Sequence, residues 1–515
     1  MHDRVTPLPA HTMIEVLARR ARDEPESLAY AAGTDTVTYG ALHEQVRSFA
    51  SGLASRGLSA GERCALLLPT GLDFVRAFYA VQALGAVPAA VNPGLPLETV
   101  RRRLRSIRAA FLIHGDCCGA DRLAGDSSLT TVCSSDLRSS GGLVRFHDSG
   151  PESVAYLQFT SGTTGDSKAA VILHRNLWAS FEGAIERLRI SADDVFSSWV
   201  PLHHALGLVR FVLGPLYFGC RSHLVPSASS SLGSWLRTIR DVRATITGGP
   251  DSAYKLAARV VGGSGVDIAS LRYATDGGEA VRAASIEEFE RAFGLPRVVQ
   301  PAYGLAEATL GVSSPDPGEP LRIGPGGALS CGRPFSGVEV RVVSEDGSSV
   351  PPLSDGEVVV RGEPVFAGYA DDPDATAAVL REGWLHTGDV GCLDGDGNLY
   401  VKARARALIK RAGAVIVPRE VEDAADGVRG VVFSAAVGLR RSSVTETEDL
   451  VVVAEVENGC PGGAAGIRSE IAARVTDAIG CAPTCVRIVP AGTIPRTASG
   501  KTRYDELRRL LESEG

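Results

Sequence analysis

Hydrophobic and polar positions alternate in two rhythms along the N-terminal part of the chain. In "TVTYGALHEQVRSFASGLASRG" apolar residues recur every three or four positions after a short polar start, which predicts a turn into an amphipathic helix. "RCALLLP" is a short unbroken apolar run, the pattern of a buried strand. "LDFVRAFYAVQALGAV" returns to helical spacing before the extended "VPAAVNP". Such alternation predicts a mostly parallel sheet covered by helices. Near Gly332 the rhythm shortens: "VEVRVVSEDG" and "GEVVVRG" are strands around the turn-rich "SSVPPLSDG". Beyond Arg404, "VVFSAAVGL", "LVVVAEVEN", the helical "IRSEIAARVTDAIG" and "VRIVP" suffice for a small α+β unit. No internal repeat is present. The expected fold class is α/β, with a large N-terminal unit and a small C-terminal one. Arg101, Arg102, Arg103, Arg105 and Arg108 fall on one predicted helix, where a solvated face is expected rather than a phosphate site.

Composition narrows the function classes. A chain of 515 residues exceeds one ordinary domain, and 44% hydrophobic with 22% charged residues is a soluble globular balance. A net charge of −7 gives no footprint for nucleic acid. The longest apolar run, Val81 to Val91, is too short to span a membrane and contains Pro88. The N-terminus lacks a signal pattern, and the ten cysteines form no CxxC pair, so free thiols in the cytoplasm are expected. Of 53 basic residues only Lys168, Lys255, Lys402, Lys410 and Lys501 are lysine. A lysine kept in such a chain has some claim to a task needing a compact ammonium, although a GC-rich genome also depletes lysine.

The first of these lysines ends the stretch "TSGTTGDSK". Gly162 and Gly165 open backbone conformations closed to other residues. Thr160, Ser161, Thr163 and Thr164 supply hydroxyls, and Lys168 supplies charge. Between an apparent strand and an apolar continuation, this composition suits an anion such as phosphate. It is not a Walker loop, because Gly165 stands three residues before Lys168 and Ala169 follows. On this stretch alone a surface turn remains the alternative.

The stretch resembles the phosphate loop of the adenylate-forming superfamily, which includes acyl-CoA synthetases, fatty acyl-AMP ligases, luciferases and the adenylation domains of peptide synthetases. Other motifs similar to that family follow in order: "WVPLHHALGL" (199–208), "TDGGEAV" (275–281), "YGLAEAT" (303–309), "GWLHTGDVG" (383–391), "RARALIKRAGAVIVPREVE" (404–422) and "IPRTASGKTR" (494–503). The resemblance implies a large N-terminal multi-sheet adenylate-forming domain, 1–405, with the ATP and acyl pockets. A small mobile α+β domain, 406–515, would act as a lid. The implied reaction joins a carboxylic acid to AMP with ATP, then passes the acyl group to a thiol.

Site roles follow from the same resemblance. Lys501, freed by Gly500, would bridge the carboxylate and the α-phosphate as charge develops. Thr160 to Gly165 and Lys168 would hold the phosphates of ATP. Glu307 would hold Mg²⁺, and Tyr303 and Gly304 would lie at the adenine, framed by Gly277, Gly278 and Glu279. Asp389 would accept from the ribose, and Arg404 would contact ribose or phosphate and assist catalysis. His204 would orient the substrate carboxylate. His203, Leu206, Gly207, Val209, Gly278 and Leu310 would line the acyl pocket with it. Arg406 falls at the hinge position, usually Asp or Lys, and is followed by Ala407 where an acid is common. Lys410 would serve the thiol step.

"PLHHALG" has no aspartate to hold an α-ammonium, so an acid without an α-amino group is expected. Leu206, Leu208, Val209, Val212 and Leu213 suggest an apolar wall, hence a hydrophobic or aromatic acid. No carrier domain follows Gly515, which argues against a peptide-synthetase module. "YGLAEATL", "DGGEAVR" and "LSCGRP" look like fatty acyl-AMP ligases, yet "GYADDPDATAAVLREGWLHTGD" lacks their insertion. Coenzyme A is therefore the expected acceptor, with a phosphopantetheinyl carrier protein as the alternative and a transfer-only homologue as a third reading. A homodimer is left open.

Overall fold

The computed structural model describes residues 11–116, 123, 129–138, 144–160, 168–226, 232–411, 414–440, 447–456, 463–496 and 502–513. The first predicted helix is Tyr39–Ala54. Thr38 caps it by accepting the Ala41 N–H at 3.3 Å, and Leu42, Val46, Phe49 and Leu53 form its buried stripe. The predicted strand Arg63–Leu67, helix Leu72–Ala83 and strand Val87–Ala90 follow in that order.

These elements feed two sheets. A six-stranded sheet runs Thr130–Cys133, Phe111–His114, Arg63–Leu67, Val87–Ala90, Val154–Phe159, Ala169–Leu173, parallel except for the last pair. A seven-stranded sheet runs Val299–Ala302, Tyr273–Gly277, Ile246–Gly249, Val195–Ser198, Arg221–Leu224, Leu28–Ala32, Asp35–Thr38, again antiparallel only at the last pair. Parallel strands buried on both faces need apolar runs, which is why "RCALLLP" showed no alternation. From Val338 the sheet is antiparallel: Val338–Val343, Gly356–Gly362 and Trp384–Leu393 pair in sequence, and Leu399–Arg404 returns along Trp384–Leu393.

The C-terminal segment builds separate sheets. A hairpin, Ile409–Arg411 with Ala414–Ile416, precedes a three-stranded sheet of Val431–Arg440, Glu448–Val456 and Cys485–Pro490. Helices Pro418–Asp426, Gly463–Ile479 and Tyr504–Ser513 accompany it. Its core, with Val421, Leu450, Val452, Ile471 and Val475, is distinct from the N-terminal clusters. The chain is thus a mixed α/β protein of several sheets.

Charged contacts join this segment to the rest. Lys255 Nζ meets Asp426 Oδ2 at 2.7 Å, with side chains only 10% and 8% exposed. Arg282 reaches Asp251 and Glu422 at 3.2 Å each and Asp423 at 2.6 Å.

The arginine helix, Leu97–Ser106, departs in part from the sequence expectation. Arg102, Arg105 and Arg108 are exposed, but Arg103 turns inward and sits 5.0 Å from the centroid of the Phe159 ring. Burial brings the Arg103 pKa down to about 10. Three residues after Val100 and four before the buried Ile107, Arg103 lies nearer the buried stripe than a count of charges reveals.

Candidate active site

The two described ends of the "TSGTTGDSK" stretch, Thr160 and Lys168, adjoin two paired strands. The Thr160 N–H donates to Lys168 O at 2.9 Å and closes its base beyond the antiparallel pair Val154–Phe159 and Ala169–Leu173. The outer edge of Ala169–Leu173 takes up the backbone of 367–370. Val171 N–H donates to Gly368 O at 2.9 Å, and Ala370 N–H to Ala169 O at 2.8 Å. That pairing delivers Tyr369 to the loop's exit. The Lys168 ammonium lies 5.0 Å from the Tyr369 ring centroid, within cation–π reach. The Tyr369 hydroxyl donates to Glu307 Oε1 at 2.8 Å. Ser161, Gly162, Thr163, Thr164, Gly165 and Lys501 lie outside the described residues.

"YGLAEAT" holds this row and a second one together. Tyr303, at its start, donates its hydroxyl to Asp389 Oδ2 at 2.5 Å. Asp389 also meets Arg404 Nε at 2.9 Å, because the two are paired neighbours on antiparallel strands. Arg404 Nη1 donates to Thr387 O at 2.6 Å, and its side chain stays 46% exposed, open to a ligand. Burial raises the Asp389 pKa, against the pull of Arg404 and Tyr303. Gly304 is forced by contact: a Cβ there would lie 1.8 Å from Leu310 O. The motif therefore folds back on itself and sends Tyr303 one way and Glu307 the other.

The turn after Tyr273–Gly277 supports the same side. Gly278 has φ +85°, a left-handed conformation suited to glycine. The Glu279 carboxylate accepts the Ser252 N–H at 2.7 Å, at the start of helix Asp251–Val261. Arg406 lies exposed in the short turn Ala405–Ala407, and Lys410 is exposed on the C-terminal hairpin, its N–H held by Glu448 Oε2 at 2.9 Å.

The stretch "HHALGLVRFVL", expected to orient and line the acyl group, enters a π-helix over Leu206–Leu213. The wider turn is visible at Gly214, whose N–H donates to Val209 O five residues back. Side chains from neighbouring strands claim the carbonyls: Ser222 Oγ donates to Phe211 O at 2.6 Å and the Tyr30 hydroxyl to Val212 O at 2.8 Å. Gly207 permits the entry, since a Cβ there would lie 2.4 Å from Pro201 O. Just before it, the rings of His203 and His204 stand 4.5 Å apart, and Gln158 Nε2 donates to His203 O at 2.9 Å. Burial, helped by Arg103, lowers the His203 pKa to about 4, so that ring is neutral at physiological pH. Leu208, Val209, Val212 and Leu213 are buried in the main core, while Leu206 and Leu310 pack at its edge.

Residues 17–370 match the family described as AMP-binding enzyme. The chain belongs to that family. It is similar to a feruloyl-CoA synthase of Amycolatopsis sp, 30% identical over 497 residues that cover 95% of this chain and 97% of the relative. A sulfoacetate–CoA ligase of Cupriavidus necator is 32% identical, covering 85% and 87%. Among solved structures, an anthranilate CoA ligase in complex with anthranoyl-AMP superposes with a TM-score of 0.88 at 23% identity, over 99% of each chain. A fatty acyl-adenylate ligase structure, from work on the E. coli and L. pneumophila proteins, gives 0.87 at 24%, over 98% of each. Both share the fold.

In this AMP-binding enzyme, three residues near the site escaped the sequence pattern. Tyr369 was readable only as the tyrosine of "GY". Gln158 looked like an ordinary strand residue. Arg210 is hidden in a run that reads as an apolar wall.

Proposed function

We propose that this enzyme is an ATP-dependent acid–thiol ligase that makes an acyl-CoA. The observation that carries the proposal is the pair of polar rows that spring from one motif, Tyr303–Asp389–Arg404 and Glu307–Tyr369–Lys168, beside the glycine- and hydroxyl-rich loop of an AMP-binding enzyme. CoA-ligase relatives that span nearly the whole chain support the same reading. The chain between Tyr369 and Trp384 holds one short helix, Pro373–Val379, and a short strand, with no added segment. That directness favours coenzyme A over a carrier protein as acceptor.

In the first step a substrate carboxylate oxygen attacks the α-phosphorus of ATP. The bond to the bridging oxygen of the β-phosphate breaks, and pyrophosphate leaves. Lys168 and the loop from Thr160 to Gly165 hold the leaving phosphates. His204 orients the carboxylate, and Lys501 neutralises charge between the two anions as they meet. Tyr303 lies on the adenine, framed by Gly277, Gly278 and Glu279, and Asp389 with Arg404 holds the ribose. In the second step a thiolate sulfur attacks the acyl carbonyl carbon and AMP departs. Residues 406–515 act as a lid that turns about Arg406, with Lys410 serving the second step.

Mg²⁺ fits Glu307. One carboxylate oxygen is engaged by Tyr369, the residue is only part-buried, and a hard cation is commonly held by one or two carboxylates together with substrate phosphates. There it would neutralise phosphate charge.

The test is a pyrophosphate-release assay over a panel of carboxylic acids, followed by coenzyme A and holo-carrier protein as acceptors. Turnover with non-amino acids, acyl-CoA as product and a loss of roughly 10²–10³ in adenylation rate for Lys501→Ala are expected. Full adenylation by Lys501→Ala would sink the assigned chemistry. Turnover with amino acids alone would sink the reading of "PLHHALG", and acyl transfer to carrier protein alone would move the acceptor.

A further inference from the structure

Among the described residues, the π-helix carries a charge that has no counterion. Arg210 is 7% exposed, and its Nη1 is buried with no acceptor. No described carboxylate pairs with it. The ionisable group that acts on it is the Tyr273 phenol, already hydrogen-bonded to Ser314 Oγ at 2.8 Å. Burial lowers the Arg210 pKa, yet a guanidinium does not shed its proton inside a protein. A buried charge therefore awaits an anion.

Its surroundings are built to receive one. Phe211, the next residue, packs on the sheet at Gly248 and Thr275: a Cβ on Gly248 would lie 3.4 Å from the Phe211 ring and 3.2 Å from Thr275 Cβ. Tyr273 and Thr275 are two positions apart on one strand and share that face. Thr275 Oγ1 is buried without a partner among the described residues. The Arg210 guanidinium and the free Thr275 hydroxyl thus lie on the side of the strand that Tyr273 and Phe211 share. Arg210 follows Leu206 by four residues, close to one turn of the π-helix, so the two face the same side.

We infer that Arg210 reads a second anionic group on the acyl substrate, a carboxylate or sulfonate remote from the carboxylate that is activated; this rests on the acid–thiol ligase function proposed above. The apolar residues around it, Leu206 among them, then pack against the linker between the two acids. The expectation of a purely hydrophobic or aromatic acid left this residue out; an aromatic linker remains compatible with it.

Matched substrates test the inference by pyrophosphate release: pentanoate against glutarate and 4-sulfobutanoate, octanoate against suberate, and 3-phenylpropanoate against 3-(4-carboxyphenyl)propanoate. With wild-type enzyme the doubly anionic member of at least one set is expected to have the higher kcat/KM. Arg210→Met should cut that preference by roughly 10²-fold, mostly through KM, and Arg210→Lys should keep part of it. AMP-induced thermal stabilisation of both variants reports that they are folded. The inference is overturned if the singly anionic acid wins every set, or if the preference survives in Arg210→Met. Absence of pyrophosphate from every acid instead overturns the ligase function itself, a distinct result because no member of any set then turns over.

Discussion

Lys255 and Arg210 are both cations taken out of water, at 8% and 7% exposure, and they are treated in opposite ways. Lys255 sits where the N-terminal sheets meet the C-terminal helix Pro418–Asp426. Its ammonium has Asp426 at 2.7 Å, and the other Asp426 oxygen accepts from Ser434 Oγ, also at 2.7 Å. Arg210 sits on the π-helix with a buried Nη1 that has no acceptor among the described residues. The first arrangement is complete without a ligand and serves to hold two parts of the chain together. The second is incomplete as it stands. A fold keeps an unsatisfied buried charge only against a cost in stability, so its retention points to binding rather than to structure.

The largest effect should come from breaking the complete pair. Lys255→Met strands Asp426 in a buried site and is expected to destabilise the protein by about 3–5 kcal/mol, read from denaturant unfolding. The double variant Lys255→Met/Asp426→Leu should recover most of that loss, since both charges are then gone. If the single variant is as stable as wild type, the contact is ornamental and the contrast fails. Arg210→Met is expected to move the other way. Without substrate it removes a charge that has no counterion, and a gain of about 1–4 kcal/mol is expected by analogy with buried ion replacements. A lower melting temperature than wild type would mean that Arg210 has a structural partner.

The junction also contains a group tuned by pH. Glu422 is buried, and burial raises its pKa to about 7, against the opposing pull of Arg282 and hydrogen bonds from the Ala436 N–H and the Tyr504 hydroxyl. A folded value above the ordinary carboxylate value favours the protonated form. Its contribution to stability is complete below the ordinary value near 4.5 and is lost as pH rises through about 7. Glu422→Gln imitates the protonated acid. Wild type and variant should therefore melt close together at pH 5, with wild type falling below the variant from pH 7 to 9. A gap that stays constant across this range would show that Glu422 does not titrate in the folded protein.

What could be read from the sequence follows from the same division. Thr160, Lys168, Tyr303, Glu307, Asp389 and Arg404 lie in short motifs, legible from residue type and spacing within a few positions. The alternation of helix and strand was equally local. Lys255–Asp426 spans 171 residues, and no local pattern announces it, although the scarcity of lysine drew attention to Lys255. The π-helix was unreadable for another reason: the donors that take its carbonyls, Ser222 and Tyr30, come from different strands. Arg210 is not legible because counting apolar positions averages over the one residue that breaks the pattern. Arg103 shows the converse: a cluster of like charges suggests one common face, yet this member turns inward against Phe159.

The smallest predicted effect is also the finest comparison, because it uses one substitution on adjacent strands of one sheet. Thr247 and Thr275 are both buried, at 0% and 5% exposure, on Ile246–Gly249 and Tyr273–Gly277. Thr247 is paired with Ala274, and Gly248 with Thr275, so the two threonines point to opposite faces. The Thr247 hydroxyl donates to Ser197 O at 2.8 Å and accepts from Trp235 Nε1 at 2.9 Å. The Thr275 hydroxyl has no partner. Threonine to valine keeps the shape and deletes only the hydroxyl. Thr247→Val leaves Trp235 Nε1 unsatisfied and should cost about 1–3 kcal/mol. Thr275→Val removes a group that bonds to nothing and should stay within about 0.5 kcal/mol of wild type, or slightly above it. Its effect should appear only in the kcat/KM of the doubly anionic acid. Equal destabilisation by the two substitutions would show that Thr275 is satisfied in solution and that the acyl side is as complete as the junction.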